Sequence, residues 1–342
     1  IKDAACKAIQ DGKTRYSQNA GLIDLRRTIS ESYFKKEGLS YNPENEIMVT
    51  VGAMEGLYLT LLSIIDEGDE VIIPTPYYVN YRQMVRMCHG IPVIVDSKEN
   101  DSLSINVNGI EKAITPKTKA IMINTPSNPA GKVIDQETLA VIAGLAVKHN
   151  LVVVSDEVYK CLIYDNTPFK SIVTYKGMRE RTVLVNSISK EFCMTGYRLG
   201  YILAPEELIA SCTKLQENVA ACAPLPSQYA AIEALSHYDV YSGDMVRIFT
   251  ERRNILYQGL SQSSKLKCRL PEATFYMMVD ISETGMSSID FCYSLLREAH
   301  VAVVPGITYG QSCDKFIRIA FTIDLGKIKE GVGRIVKFVD AL

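Results

Sequence analysis

The chain has 342 residues, of which 47% are hydrophobic and 22% are charged, as in an ordinary globular protein with room for about two domains. Its formal net charge of −2 disfavours nucleic acid as the main partner, because nucleic-acid-binding proteins carry a basic face. No apolar run approaches the roughly 20 residues of a membrane-spanning helix, so no membrane partner is predicted.

The cysteines and histidines argue against disulfide and metal chemistry. Nine cysteines are scattered without a C-x-x-C pair, which predicts buried, reduced thiols and a cytoplasmic protein. The four histidines lie outside the motifs described below. Neither a zinc site nor a triad of the Ser-His-Asp or Cys-His type is therefore predicted, and we expect no metal.

Short apolar runs alternate with amphipathic segments over the first two thirds of the chain, which predicts an α/β sheet flanked by helices. Nearly every run is apolar on both faces, as a buried, mostly parallel sheet requires. Between two of these runs, residues 136–149 predict a helix with Asp135 as its N-cap. The predicted strands are 71–73, 92–95, 120–123, 151–154, 182–185 and 201–203.

The pattern changes to an α+β order after Pro226. We place a domain boundary near residue 250, inside a long amphipathic stretch, which gives a large domain of residues 1–250 and a small domain of residues 251–342. The predicted elements of this part are a helix to Leu235, a helix over 243–260, a strand over 274–279, a helix over 287–298, strands over 301–304 and 316–321, and a closing helix.

The most informative segment, residues 187–200, reads SISKEFCMTGYRLG and follows a predicted buried strand. A lysine placed there, Lys190, is expected to have a lowered amine pKa through desolvation and to act as a nucleophile toward a carbonyl. The hydroxyls of Ser187 and Ser189 and the guanidinium of Arg198 suit a phosphate group. A surface lysine is the ordinary alternative for any single lysine, and the surrounding pattern argues against it.

The pattern S-x-S-K-x-x-x-x-x-G-x-R-x-G resembles the Schiff-base segment of the class I/II (fold type I) aminotransferases, which depend on pyridoxal 5′-phosphate (PLP). Further landmarks of that aspartate aminotransferase superfamily follow in order along the chain. The resemblance implies a mostly parallel sheet of the seven-stranded type flanked by helices, with a smaller α+β C-terminal domain that lacks its usual N-terminal part. It also implies PLP as a Schiff base on Lys190, and a homodimer with shared active sites.

Asp156 follows a buried strand, at the carboxyl end where parallel sheets bind their ligands. The matching aspartate of the family pairs with the pyridine nitrogen of PLP and makes the ring an electron sink. Tyr159 matches the tyrosine that hydrogen-bonds the phenolic oxygen of PLP. A helix N-cap is the alternative for Asp156, and Glu157 is expected to face a different side.

Asn128 and Arg318 match the residues that the family uses toward the substrate. Asn128 lies in the turn segment NTPSNPAG and resembles the asparagine that also contacts the phenolic oxygen of PLP. Arg318 is a lone charge in the apolar run FIRIAF, which is costly unless the charge is paired. Its planar guanidinium suits the substrate α-carboxylate. An exposed edge strand is the alternative.

Three further segments match the family's cofactor site. A glycine-rich helix start at residues 52–56 predicts phosphate binding by the backbone of Ala53 and Met54. Tyr78 matches the aromatic ring that stacks on PLP. Tyr16 matches the tyrosine that reaches the phosphate of the neighbouring subunit, and an exposed loop tyrosine is its alternative.

The resemblance therefore implies an aminotransferase that moves an amino group from an L-amino acid to a 2-oxo acid by a ping-pong mechanism through a Lys190 Schiff base. Met54 stands where aspartate-selective bacterial members carry a lysine, which favours neutral or aromatic amino acids, with Tyr77, Tyr78 and residues 307–309 as pocket candidates. A β-elimination C–S lyase of the same fold and a PLP-sensing regulatory domain remain alternatives. An ordinary nucleotide-binding α/β protein would need a G-x-G-x-x-G fingerprint.

Overall fold

A computed structural model describes residues 1–98 and 103–342. Its main sheet has seven strands in the order β1-β7-β6-β5-β4-β2-β3, which confirms the predicted α/β architecture. Strands β2 to β6 run parallel, whereas β7 runs antiparallel to both of its neighbours. These strands are β1 (Ile47–Thr50), β2 (Glu70–Pro74), β3 (Ile91–Val95), β4 (Thr118–Asn124), β5 (Val152–Asp156), β6 (Thr182–Ser187) and β7 (Gly200–Leu203).

Helices cover both faces of this sheet, and successive residues of one strand serve opposite faces. In β2, Val71 and Ile73 pack in one apolar cluster and Ile72 in another, which explains the uninterrupted apolar runs. Asp135 caps its helix as predicted, because its Oδ1 accepts from Thr138 N at 2.7 Å. The helices are α1 (Lys2–Gln10), α2 (Ile23–Glu37), α3 (Ala53–Ile64), α4 (Asn80–Met87), α5 (Val107–Ala113), α6 (Gln136–Lys148), α7 (Ile188–Glu191), α8 (Glu206–Val219) and α9 (Leu225–Ser236).

The C-terminal part forms a second sheet of four strands in the order β10-β11-β9-β8, all antiparallel. Buried aromatic and aliphatic side chains, among them Phe291, Ile317 and Phe338, pack its helices against it. The predicted boundary near residue 250 falls inside α10, and the division into two domains remains a prediction. The elements are α10 (Tyr238–Leu260), β8 (Lys267–Cys268), β9 (Tyr276–Asp280), α11 (Ser288–Ala299), β10 (Val304–Pro305), β11 (Phe316–Ala320) and α12 (Leu325–Asp340).

Three details of the secondary structure differ from the sequence expectation. Strands β1 and β8 were not predicted. The strand expected over 301–304 is reduced to Val304–Pro305, since only these two residues pair with β11. Helix α10 begins at Tyr238 rather than at 243 and continues through Gly243.

The cysteines are all free, but the expectation that they are buried is wrong in part. Cys88, Cys212 and Cys313 are buried, whereas Cys6 and Cys193 are exposed. Within the described residues, no helix combines the length and the apolar character that crossing a membrane requires.

Candidate active site

The carboxyl ends of the parallel strands open into a cavity of about 540 Å³ that is lined by residues of both sheets. Because β7 is antiparallel, its first residues meet these carboxyl ends at the same edge. The cavity brings together most of the predicted site residues, namely Ala53, Met54, Tyr78, Asn128, Asp156, Tyr159, Ser187, Lys190, Arg198 and Arg318. Of the further pocket candidates, Thr308 and Tyr309 line it, whereas Tyr77 and Ile307 do not. Tyr16 does not line it in this chain and is 85% exposed.

Lys190 is carried by the short helix α7, directly after β6. Ser187 caps this helix, since its Oγ accepts from Ser189 N at 3.0 Å. Burial lowers the pKa of the Lys190 amine, and the positive charge of Arg198 lowers it further. The hydroxyl of Ser187 donates to Leu199 O at 2.8 Å, so its proton is used within the protein, and the expected contact with a phosphate remains a prediction.

Arg198 lies against the start of α3, a helix that no side chain of the described residues caps. A Cβ on Gly52, whose φ is 81°, would stand 2.6 Å from Arg198 Nη2, so a larger residue there would displace the guanidinium from this position. A Cβ on Gly200 would stand 2.4 Å from Ala53 N, which shows how closely β7 approaches the same helix start. A guanidinium beside a helix N-terminus favours an anion.

Asp156 is 5% exposed and ends β5 at the cavity. Its Oδ2 accepts from the hydroxyl of Tyr81 at 2.6 Å and its Oδ1 from Val158 N at 3.3 Å. Burial raises the pKa of Asp156 to about 6, although both hydrogen bonds act in the opposite direction. A turn rather than a helix follows it, so the N-cap alternative is wrong. Glu157 instead accepts from Ser171 Oγ at 2.5 Å and does not line the cavity.

Hydrogen bonds connect Arg318 to the main sheet. Asn124, at the end of β4, donates to Asp156 O at 2.9 Å and accepts from Asn128 N at 2.6 Å. Asn128 Oδ1 then accepts from Arg318 Nη1 at 3.0 Å. Strand β11, which carries Arg318, lies between β10 and β9, so the edge-strand alternative is wrong. The Nε of Arg318 is buried and has no hydrogen-bond partner within the described part of the chain.

Two aromatic residues flank Arg318, and sequence reasoning found only one of them. The guanidinium carbon lies 4.2 Å from the ring centre of Tyr276 and 5.2 Å from that of Tyr309, which belongs to the predicted segment 307–309. Tyr276 also receives a hydrogen bond from the hydroxyl of Tyr159 at 3.4 Å. The contact with Tyr276 depends on the pairing register of β9 and β11. Arg318 pairs with Met278, and Tyr276 lies two residues before Met278, so both face the same side of the sheet as Arg318.

Comparison with known proteins agrees with this arrangement. A family model described as aminotransferase class I and II matches residues 1–335. The chain belongs to the class I and II aminotransferases. It is 37% identical over 339 residues to aromatic-amino-acid aminotransferase 2 of Thermococcus litoralis, a match that spans 98% of this chain and 87% of that protein. It is 38% identical to aspartate aminotransferase of Pyrococcus abyssi, with the same two shares.

Solved structures of aminotransferases share the fold. The aromatic aminotransferase from Pyrococcus horikoshii superposes with a TM-score of 0.96 at 37% identity, over 99% of this chain and 91% of the other. The Thermus thermophilus aspartate aminotransferase with maleate gives a TM-score of 0.92 at 34% identity, over 98% and 87%. Family and fold together make this chain a PLP-dependent aminotransferase of fold type I.

The cavity fits PLP in size and in chemistry. Its volume lies within the range of small-molecule sites. Gly52 has no side chain, so the Arg198 guanidinium can lie at the start of α3, where no described side chain caps the helix. This position suits a phosphate. The buried carboxyl of Asp156 suits a ring nitrogen that carries a proton, and the Lys190 amine lines the same cavity.

Proposed function

We propose that this aminotransferase transfers the amino group of an L-amino acid to a 2-oxo acid, with Lys190 as its catalytic amine. The observation that carries the proposal is the convergence in one cavity of a buried acid, a lysine with a lowered amine pKa, and two guanidinium groups. Arg198 lies in the loop before β7 of the main sheet, whereas Arg318 lies in β11 of the second sheet, and this arrangement suits the binding of two separate anions.

Each polar group then has a separate role toward the cofactor. PLP supplies, when bound, an aldehyde that condenses with amines and a ring that accepts the electrons of a carbanion. Asp156 holds the proton of the ring nitrogen, and Tyr159 and Asn128 donate hydrogen bonds to the phenolic oxygen. Burial raises the pKa of Tyr159 well above its usual value, so this phenol keeps the proton that it donates. Arg198 and the start of α3 bind the phosphate.

Toward the substrate, Lys190 and Arg318 act on different atoms. The lowered pKa of Lys190 leaves a larger share of its amine neutral near pH 7, so that Nζ can take a proton from the substrate α-carbon. Nζ would then deliver this proton to the cofactor carbon that holds the amino group. Arg318 binds the substrate α-carboxylate and thereby holds the α-carbon at a fixed place. Asn128 keeps Arg318 directed into the cavity through the hydrogen bond between their side chains.

We propose neutral or aromatic amino acids as the substrate class. The lysine and arginine side chains that line the cavity are Lys190, Arg198 and Arg318, and each has a role above. None of these three cationic side chains remains to bind the second carboxylate of a dicarboxylic substrate. Met54 and Tyr309 give the cavity apolar surface that a neutral or aromatic side chain can contact. Relatives carry both the aspartate and the aromatic name, so their names do not decide the matter.

A homodimer with shared active sites is the remaining part of the proposal. Tyr16 is an aromatic residue with 85% of its surface exposed in the single chain. A neighbouring subunit whose phosphate site it reached would bury that surface. A cytoplasmic location, expected from the scattered cysteines, stays a prediction.

An absorbance titration with a panel of amino acids tests the proposed function. We expect a lysine-dependent band of bound PLP that shifts most with neutral or aromatic amino acids. Lys190→Ala should abolish the band and the turnover, whereas Lys176→Ala, which removes an exposed lysine outside the cavity, should preserve both. Full turnover by Lys190→Ala would contradict the proposal. Release of pyruvate and ammonia from a β-substituted amino acid without a 2-oxo acid would favour the lyase.

A further inference from the structure

Tyr81 is a buried residue beside the cavity to which the proposed roles assign nothing. It lies in the first turn of α4 and is 1% exposed. Its hydroxyl donates to Asp156 Oδ2 at 2.6 Å, while the other oxygen of that carboxylate accepts a longer bond, 3.3 Å, from the backbone N–H of Val158. A short hydrogen bond from a neutral donor to a buried carboxylate favours its ionised form.

The same tyrosine supports the aromatic ring of Tyr78. The two rings meet edge to face, with centres 5.6 Å apart and planes inclined by 77°. Asn80 donates to the Tyr78 hydroxyl at 3.2 Å from the same helix start. One turn of α4 therefore connects the ring proposed to stack on the cofactor with the acid proposed to bind its nitrogen.

The surroundings of Asp156 leave Tyr81 as its main source of stabilisation. The titratable groups that face its carboxyl are the phenols of Tyr78, Tyr81 and Tyr159, and the Lys190 amine lines the same cavity. Burial raises the pKa of Asp156, and among the side chains of the described residues only that of Tyr81 counteracts this through a hydrogen bond.

We infer that Tyr81 is a positioning residue, which keeps Asp156 ionised and directed at the ring nitrogen of the cofactor while it holds Tyr78 in place. This inference rests on the proposed function, because it needs a cofactor nitrogen that carries a proton. Tyr81 itself does not line the cavity, so it acts through Asp156 and Tyr78.

Cofactor binding by Tyr81→Phe tests the inference, because this change removes one oxygen and leaves the ring. The probes are PLP and an analogue whose ring nitrogen is replaced by carbon. We expect Tyr81→Phe to bind PLP about tenfold more weakly than the parent protein, the scale of a hydrogen bond to a charged group. The analogue should bind both proteins alike. Tyr164→Phe is the matched control, since Tyr164 is also fully buried and donates to a backbone carbonyl outside the cavity.

The thermal stability of the cofactor-free protein gives a second readout. The folded-state pKa of Asp156, about 6, lies above its usual value, so folding takes up a proton and stability falls as the pH rises toward 6. Tyr81→Phe should raise the folded-state pKa of Asp156, so that its stability continues to fall with pH up to a higher pH than in the parent. The melting temperature of Tyr81→Phe should therefore be lower than that of the parent, and this deficit should be larger at pH 8 than at pH 5. The deficit of Tyr164→Phe should be the same at both.

The outcomes separate the inference from the proposed function. If the parent protein gives no Lys190-dependent band with PLP, the proposed function fails. If the parent binds PLP and Tyr81→Phe binds it equally well, only the role of Tyr81 is refuted. The same holds if Tyr81→Phe loses affinity for PLP and for the carbon analogue by the same factor. A stability deficit of Tyr81→Phe that does not change with pH would refute it as well.

Discussion

Replacement of Arg318 by methionine isolates the charge that we propose for substrate binding. Methionine has a long unbranched side chain, so it still packs between Tyr276 and Tyr309. The change removes the guanidinium that now lies 4.2 and 5.2 Å from those ring centres and donates to Asn128. What is lost is the proposed partner of the substrate α-carboxylate.

The expected loss follows from the half-buried position of this charge. The Nε of Arg318 is buried without a hydrogen-bond partner among the described residues, so the guanidinium keeps a donor that is shielded from solvent. Truncation of one partner of a buried, hydrogen-bonded charge pair costs about 2–5 kcal/mol. At 1.4 kcal/mol for each factor of ten, kcat/KM should fall about 30- to 4,000-fold.

A comparison of two substrates tests the reasoning in single-turnover measurements. One is an aromatic L-amino acid, and the other is the amine with the same side chain but no α-carboxylate. Arg318→Met should react far more slowly with the amino acid and almost unchanged with the amine. Arg297→Met, which alters an exposed arginine of α11, serves as the control. Equal losses with both substrates would show that Arg318 supports the fold of the cavity and does not recognise the carboxylate.

Two further substitutions test the phosphate site and the shared active site. Gly200→Ala should lower stability by about 1–3 kcal/mol and weaken PLP binding, because its Cβ would stand 2.4 Å from Ala53 N. A Cβ on Gly196 would have no described atom within 4 Å, so Gly196→Ala should change neither the melting temperature nor the affinity. Equal effects of the two substitutions would refute the steric argument. Tyr16→Ala should weaken PLP binding, and when it is mixed with inactive Lys190→Ala, hybrid dimers should regain one complete site. No recovery of activity on mixing would contradict a shared site.

The main sheet was predictable because its signal is local. Each parallel strand is buried on both faces, so a continuous apolar run such as 151–154 identifies it without knowledge of its neighbours. The polar residues that follow these strands, such as Asn128 and Asp156, then lie together because parallel strands end at one edge. The lysine segment gave the strongest signal, since its spacing is specific.

Contacts between distant segments were not predictable in the same way. Tyr81 is one of several tyrosines after β2, and nothing in its neighbourhood shows that its hydroxyl meets Asp156. Tyr276 lies beside Arg318 only through the register of β9 and β11, and that register is set by packing of the whole second sheet. The exposure of Cys193 follows from its place in the loop between α7 and β7, which composition does not reveal.

The division of the site between two sheets has a consequence for how such an enzyme changes over time. On the proposed assignment, the cofactor is held by the seven-stranded sheet and its adjoining helices, whereas Arg318, Tyr276 and Tyr309 belong to the C-terminal part. Because Arg318 is assigned to the α-carboxylate that all L-amino acids share, mutations of Tyr276 and Tyr309 can select a different side chain without loss of the cofactor. Substrate preference can therefore diverge among homologues while the chemistry is inherited. A library directed at Tyr276 and residues 304–309, with Arg318 kept, is the economical way to redirect this enzyme.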